Sequence, residues 1–248
     1  MTDSKWLTSE DAQDMLRCLI HQHNCHGRTA GRRKLRLFGC ACCRLRWESM
    51  TDPRSRAAVE YVERLADGEA DVALVEEVLN ETRMACSAIH DPWIVSGKWH
   101  NGPDEVAEAK EQGEAAEATL KLVHELPYQS ACADPAMRSY VGEGTPGSEQ
   151  EQRHRAWRGR IRRLACLLRD IFGNPFRPVA FDRAWRSESA VALARTMYES
   201  REFSAMPILG DALEEAGCNS PEILGHCCGS TAFHVRGCWV VDLVRDVV

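Results

Sequence analysis

Apolar residues recur at intervals of three and four along most of the chain, the spacing of helices that each bury one stripe. Leu35, Phe38, Cys42 and Leu45 mark such a stripe over 32–50. Ala57, Ala58, Tyr61, Val62 and Leu65 mark another, opened by Asp52-Pro53 as cap and first helical residue and closed by Gly68. Residues 8–22 start at Thr8 or Ser9 with Glu10 and Asp11 in the first turn, and 71–90 carry Val72, Val75, Val78, Leu79 and Thr82. Asp91-Pro92, Gly97, Gly102 and Pro103 predict a break over 91–103, followed by an Ala- and Glu-rich helix to about Leu126. Glycines and prolines then predict a long loop at 127–150.

Beyond that loop, 151–172 is an Arg-rich helix with Trp157, Ile161, Leu164, Leu168 and Ile171 on one side, and Asn174–Pro178 is a non-helical turn. Helices follow over 187–203, 205–216, 220–226 and 237–248. No strict alternation runs beyond a few residues, so no hairpin is expected. The expectation is an all-α chain, a compact irregular bundle of about eight to ten helices with its N- and C-terminal thirds packed together. It reads as a single domain, 1–248. The alternative is two helical domains, 1–126 and 151–248.

Composition narrows the class. With 44% hydrophobic and 27% charged residues the chain resembles an ordinary soluble globular protein. It has no apolar run of membrane-spanning length and no secretory pattern at its start, so a cytoplasmic location and no membrane partner are expected. Charge is uneven, with 16 acidic against 5 basic side chains over 60–125 and seven arginines within 151–170. An acidic middle between basic ends suits internal pairing or an anionic partner.

Cysteine and histidine change the picture most. Of 12 Cys and 9 His, eight fall between Cys18 and Cys43 and five between His226 and Cys238. Thiolate and imidazole are the donors zinc prefers, and a reducing cytosol favours metal binding over disulfides. Cys40 and Cys43 have the two-residue gap of a shared tetrahedral ion. His234 and Cys238 are four apart, on one helical face. The candidate ligands are therefore Cys40, Cys43, His226, Cys227, His234 and Cys238, for one zinc. The plainer reading packs Cys40, Cys42 and Cys43 into an apolar stripe beside Gly39 and Ala41. His21, His23 and His26 read as a solvated loop. Cys86, Cys132, Cys166 and Cys218, scattered singly, read as small buried residues.

Two further chemistries are open. Cys238 at the start of the last helix could be a nucleophile, with His234 as base and Asp242 as orienting acid. Arg155, Arg158 and Arg162 lie near one another at helical spacing and could meet a phosphate backbone. An acidic pI near 5.9 favours a solvated face paired with the acidic 104–125 helix instead.

Several segments together resemble a bacterial family of helical proteins. They are Arg33–Phe38 leading to Ala41-Cys42-Cys43-Arg44, Thr51–Arg56, Leu168–Pro178, Met206–Leu209, Ala216–Cys218 and His234–Asp242. They cover the two ends of the chain, while 80–150 matches only in being Ala-rich and helical. The His21–Arg32 segment departs from the family pattern as a local insertion. The family has no assigned activity, so the resemblance implies one folded unit and no chemistry. The functional expectation is a non-enzymatic cytoplasmic interaction or regulatory module with a protein partner and a structural zinc site. The alternatives are a cysteine-dependent enzyme using Cys238 or Cys43 with a histidine, and a nucleic-acid binder using the 151–169 helix.

Overall fold

Capping side chains decide where these helices begin. In the computed structural model, which describes residues 1–96, 112, 115, 116, 119, 149–229 and 233–247, every described element is helical. The helices are α1 (Asp3–Thr8), α2 (Ala12–His21), α3 (Thr29–Arg44), α4 (Pro53–Ala66), α5 (Val75–Ser96), α6 (Glu149–Phe172), α7 (Glu188–Ser200), α8 (Met206–Glu215), α9 (Pro221–Cys228) and α10 (Trp239–Arg245). Asp11 caps α2 by accepting from the Asp14 amide at 3.0 Å, and Asp52 caps α4 by accepting from the Arg54 amide at 2.9 Å. Ser187 and Ser220 do the same for α7 and α9. No helix among the described residues is long and apolar enough to cross a membrane.

Three boundaries differ from the sequence reading. A separate helix, α1, precedes the expected 8–22 helix, because Thr2 caps it and Trp6 anchors it. The 32–50 helix starts earlier, at Thr29, and ends at Arg44, with a single 3₁₀ turn at Trp47–Ser49 beyond it. The break expected at 91–103 does not start at Asp91-Pro92, since α5 continues through Pro92 to Ser96, and 97–103 lie outside the described residues. Residues 127–148 of the expected long loop lie outside the described residues, and Glu149 and Gln150 already belong to α6.

The described chain forms two compact units, Met1–Asn24 with Arg162–Val248, and Cys25–Ile161. The first joins the two ends of the chain. Trp6 is fully buried and its Nε1 donates to the Gly173 carbonyl at 3.0 Å. Arg169 donates from Nε and Nη2 to the Trp6 carbonyl at 3.0 and 2.9 Å, and also to the Ser9 carbonyl. A guanidinium thus satisfies carbonyls left open at the end of α1, where its charge also suits the helix dipole. Asn174 Nδ2 donates to Asp3 at 2.7 Å, and Arg177 pairs with the same carboxylate. Gly173 ends α6 with a φ of +66°, and a Cβ there would lie 3.3 Å from the Trp239 indole. Its lack of a side chain seats α10 against the end of α6. Ala194, Met197, Leu209, Leu213, Ile223, Val240 and Val244 fill the core between α7 and α10.

In the second unit α3 packs on α4 and α4 on α5. Cys40 and Cys43 join Met50, Val59, Tyr61, Val62 and Ala115 in its core. Small residues between Gly39 and Cys43 permit that close approach. Buried charges are paired: Arg33 Nη2 lies 2.9 Å from Asp67, and Arg44 grips Glu63 with both Nε and Nη2. The Arg44 guanidinium also stacks 4.3 Å from the Trp47 ring centroid.

Candidate metal centre

A carboxylate should not sit among Leu167, Leu168 and Ile171 in the last turns of α6 unless something compensates it. Asp170 does, at 4% exposure, and what it meets are two imidazoles. Its Oδ1 lies 2.7 Å from His234 Nδ1 and 3.2 Å from His226 Nε2. Its Oδ2 accepts from the Val235 amide at 2.9 Å, which fixes the carboxylate and leaves Oδ1 turned towards the rings. His226 projects from the last turn of α9, while His234 precedes α10 in the loop that carries Gly237. Cys238, fully buried, stands at the N-cap of α10 with its Sγ 3.2 Å from His226 Nε2 and 3.8 Å from His234 Nδ1.

The four donor atoms Oδ1, Nε2, Nδ1 and Sγ all lie within 4.8 Å of one another. Bonds of about 2.0–2.3 Å to a tetrahedral ion place neighbouring donors about 3.3–3.8 Å apart. The separations of 3.2, 3.2 and 3.8 Å sit at or near that range, whereas the 2.7 Å hydrogen bond would have to open and the remaining pairs lie within 4.8 Å. Thiolate and carboxylate supply two negative charges and the imidazoles none, so the set balances a divalent ion in a buried place. Asp170, His226, His234 and Cys238 therefore could hold a metal ion.

Electrostatics of the cluster follow from burial. Burial pushes the Asp170 carboxyl up, but hydrogen bonds and charge from His226 and His234 outweigh it, and the net shift is downwards. Cys238 goes the other way. Burial, aided by the nearby Asp170 carboxylate, raises its thiol well above the ordinary value against the opposing pull of the Val241 and Val240 amides. Without a cation the sulfur keeps its proton. The rings of His226 and His234 meet edge to face at 4.8 Å, and Trp239 tilts over His226 at 5.1 Å, which holds both imidazoles in place.

Of the six ligands expected from sequence, the structure brings together His226, His234 and Cys238. The fourth residue of the group is Asp170. Cys40 and Cys43 are core residues of the Cys25–Ile161 unit, where Cys40 Sγ lies 3.8 Å from the Val59 carbonyl. Cys227 packs in the core of the other unit, and burial together with Cys228 and Cys218 pushes its thiol up to about 12. Helical geometry explains the exclusion. One residue on from His226 is turned by about 100°, so Cys227 faces away from the donor set. Asp170 was missed because it reads as one acid in an Arg-rich helix, although its apolar neighbours were a signal.

The remaining candidates are placed as follows. Asp242 is buried in α10, 3.7 Å from Arg245 Nη1 in an i,i+3 pair, and the carboxylate beside His234 is Asp170. Arg155 is exposed and pairs with Glu151 one turn earlier, Arg158 is exposed, and Arg162 pairs with Glu10 at 2.8 Å. Of the histidines expected in a solvated loop, His21 and His26 are exposed, while His23 is half-buried and packs edge to face on Phe176 at 4.8 Å. Among the cysteines expected to be buried singly, Cys218 is buried, Cys86 half-buried and Cys166 exposed, while Cys132 lies outside the described residues.

Exposure makes thiol labelling informative. Iodoacetamide near neutral pH is expected to modify Cys166 and Cys228 in the native protein and to leave Cys40 and Cys238 untouched until it unfolds, as read by peptide mass mapping. Native labelling of Cys238 as fast as Cys228 would contradict this arrangement. No family model, curated protein or solved structure matches the chain, and the centre is defined by its own geometry.

Proposed function

We propose that this protein is a zinc-binding helical module of the cytoplasm, acting by interaction or regulation and not by catalysis. Its ion is held by Asp170, His226, His234 and Cys238 and ties the end of α6 to α9 and α10. The observation that carries the reading is the meeting of one carboxylate, two imidazoles and one thiol within 4.8 Å in a buried place. Four protein donors fill a tetrahedral shell, which is the arrangement of a structural site, since catalytic zinc keeps a position open. Mixed nitrogen, sulfur and oxygen donors favour zinc over the hard ions magnesium and calcium. A thiol nucleophile at Cys238 is disfavoured by its complete burial and raised pKa.

Elemental analysis of protein purified without chelator tests the reading, with about one zinc per chain expected. Protein that stays metal-free after incubation with excess zinc and dialysis overturns it. Uptake has a second signature. The Cys238 thiol holds its proton before the metal arrives, so binding is expected to release on the order of one proton or more. Affinity consequently falls as pH falls. Zinc titration by calorimetry, in two buffers of different ionisation enthalpy, measures that number directly. A heat independent of the buffer would remove the thiol from the ligand set.

A further inference from the structure

His226 belongs to the metal cluster and also lines a cleft of 330 Å³ in the same unit. That is at the small end of ligand-site volumes. Leu7, Val179 and the half-buried Trp239 supply apolar walls. The cationic and amide side chains at the rim are already engaged. Arg169 holds the Trp6 and Ser9 carbonyls, while Arg177 and Asn174 both hold Asp3. Their hydrogen bonds among the described residues run to acceptors of the protein itself.

Two polar groups remain. The hydrogen bonds of His226 among the described residues all run from Nε2, which leaves Nδ1 without a partner there. Glu222, one turn earlier on α9 and facing the same cleft, accepts from Ser220 through Oε2 at 3.0 Å, its one hydrogen bond among the described residues. Residues four apart on a helix lie side by side. With a metal on Nε2, the neutral ring carries its proton on Nδ1 and donates from it. A donor and an acceptor then stand next to each other beside an indole. A single hydroxyl group satisfies both, accepting from His226 and donating to Glu222.

We propose that this cleft binds a small, uncharged hydroxylated aromatic molecule of the phenol class. Its ring lies against Trp239, Leu7 and Val179, and its hydroxyl bridges His226 Nδ1 and Glu222 Oε1. The proposal rests on the zinc reading in one respect, since the ion on Nε2 keeps Nδ1 a donor. The bound molecule touches His226, a residue of the metal cluster.

The probe is p-cresol, compared with toluene as the same ring without the hydroxyl. Binding to the full, zinc-loaded chain is read by calorimetry, with zinc content measured on the same samples. Saturable p-cresol binding is expected, with toluene about tenfold weaker for the lost hydrogen bonds. Glu222→Ala should weaken p-cresol about tenfold and leave toluene unchanged. Leu7→Trp, at an exposed position on the cleft wall, should block both probes while zinc content stays at the wild-type level. Zinc-loaded protein without saturable p-cresol binding overturns the proposal, as do variants that bind like the wild type or equal affinities for the two probes. Protein that stays metal-free after incubation with excess zinc, yet binds p-cresol with the Glu222 dependence intact, overturns the zinc reading and supports the cleft.

Discussion

In a Cys238→Ser variant, bound zinc is expected to fall by at least about a hundredfold in affinity, beyond the 10–100-fold that loss of an outer-shell partner costs. Serine is nearly the size of cysteine, so the fold around α10 loses little packing. What it loses is the only thiolate in the cluster, and a neutral hydroxyl is a poor zinc donor. Stability should follow the metal, because a ligand bound only by the folded state stabilises it by mass action. A chelator is therefore expected to lower the melting temperature of the wild type and to leave that of Cys238→Ser unchanged. His234→Ala should behave like Cys238→Ser in metal content and be less stable in addition. It removes a side chain of 5% exposure and takes from the buried Asp170 carboxylate its 2.7 Å partner, leaving it His226 and the Val235 amide. Equal chelator sensitivity in wild type and variants, followed by differential scanning fluorimetry, would sink the metal assignment.

The second large effect lies in the Cys25–Ile161 unit. Glu63→Ala is expected to destabilise the protein by about 3 kcal/mol, the lower end of the cost of breaking a buried ion pair. Glu63 is 1% exposed and takes Arg44 in a two-pronged grip, with 2.8 Å from Nη2 to Oε2. Removing the carboxylate leaves a guanidinium whose side chain is only 24% exposed, so water compensates it in part. Arg44 also stacks on Trp47, and that contact survives the substitution. Glu63→Gln keeps the shape and should cost less. Denaturant unfolding of the full chain measures both, and a loss below about 1 kcal/mol for Glu63→Ala would place this pair with ordinary surface bridges.

Helices were legible wherever a stripe coincided with a cap, as in α4 between Asp52 and Gly68. The pattern failed at α1, six residues long, too short to show a period and held mostly by long-range bonds to Arg169 and Gly173. It failed again at Asp91-Pro92, the first of several break signals over 91–103, because α5 passes through both residues. The candidate site was half legible. Imidazoles and thiols crowd visibly between 226 and 238, and His226, His234 and Cys238 came from there. Which sulfur joins them depends on helix rotation and chain path. Spacing alone cannot separate Cys227 from Cys238, or Cys40 from Asp170. Cys40 and Cys43 followed the plainer reading and pack as small apolar residues.

The unit that carries the candidate metal centre is built from two stretches, Met1–Asn24 and everything from Arg162 onwards, with a continuous unit between them. Trp6 and the carbonyls at the end of α1 find Gly173 and Arg169 only after the intervening chain has been made. At ribosomal speeds of about 5–20 residues per second, that interval lasts roughly ten to thirty seconds. During it, the opening helix waits with an uncovered indole. A nascent chain stalled before residue 170 thus presents an aromatic handle that the folded unit hides.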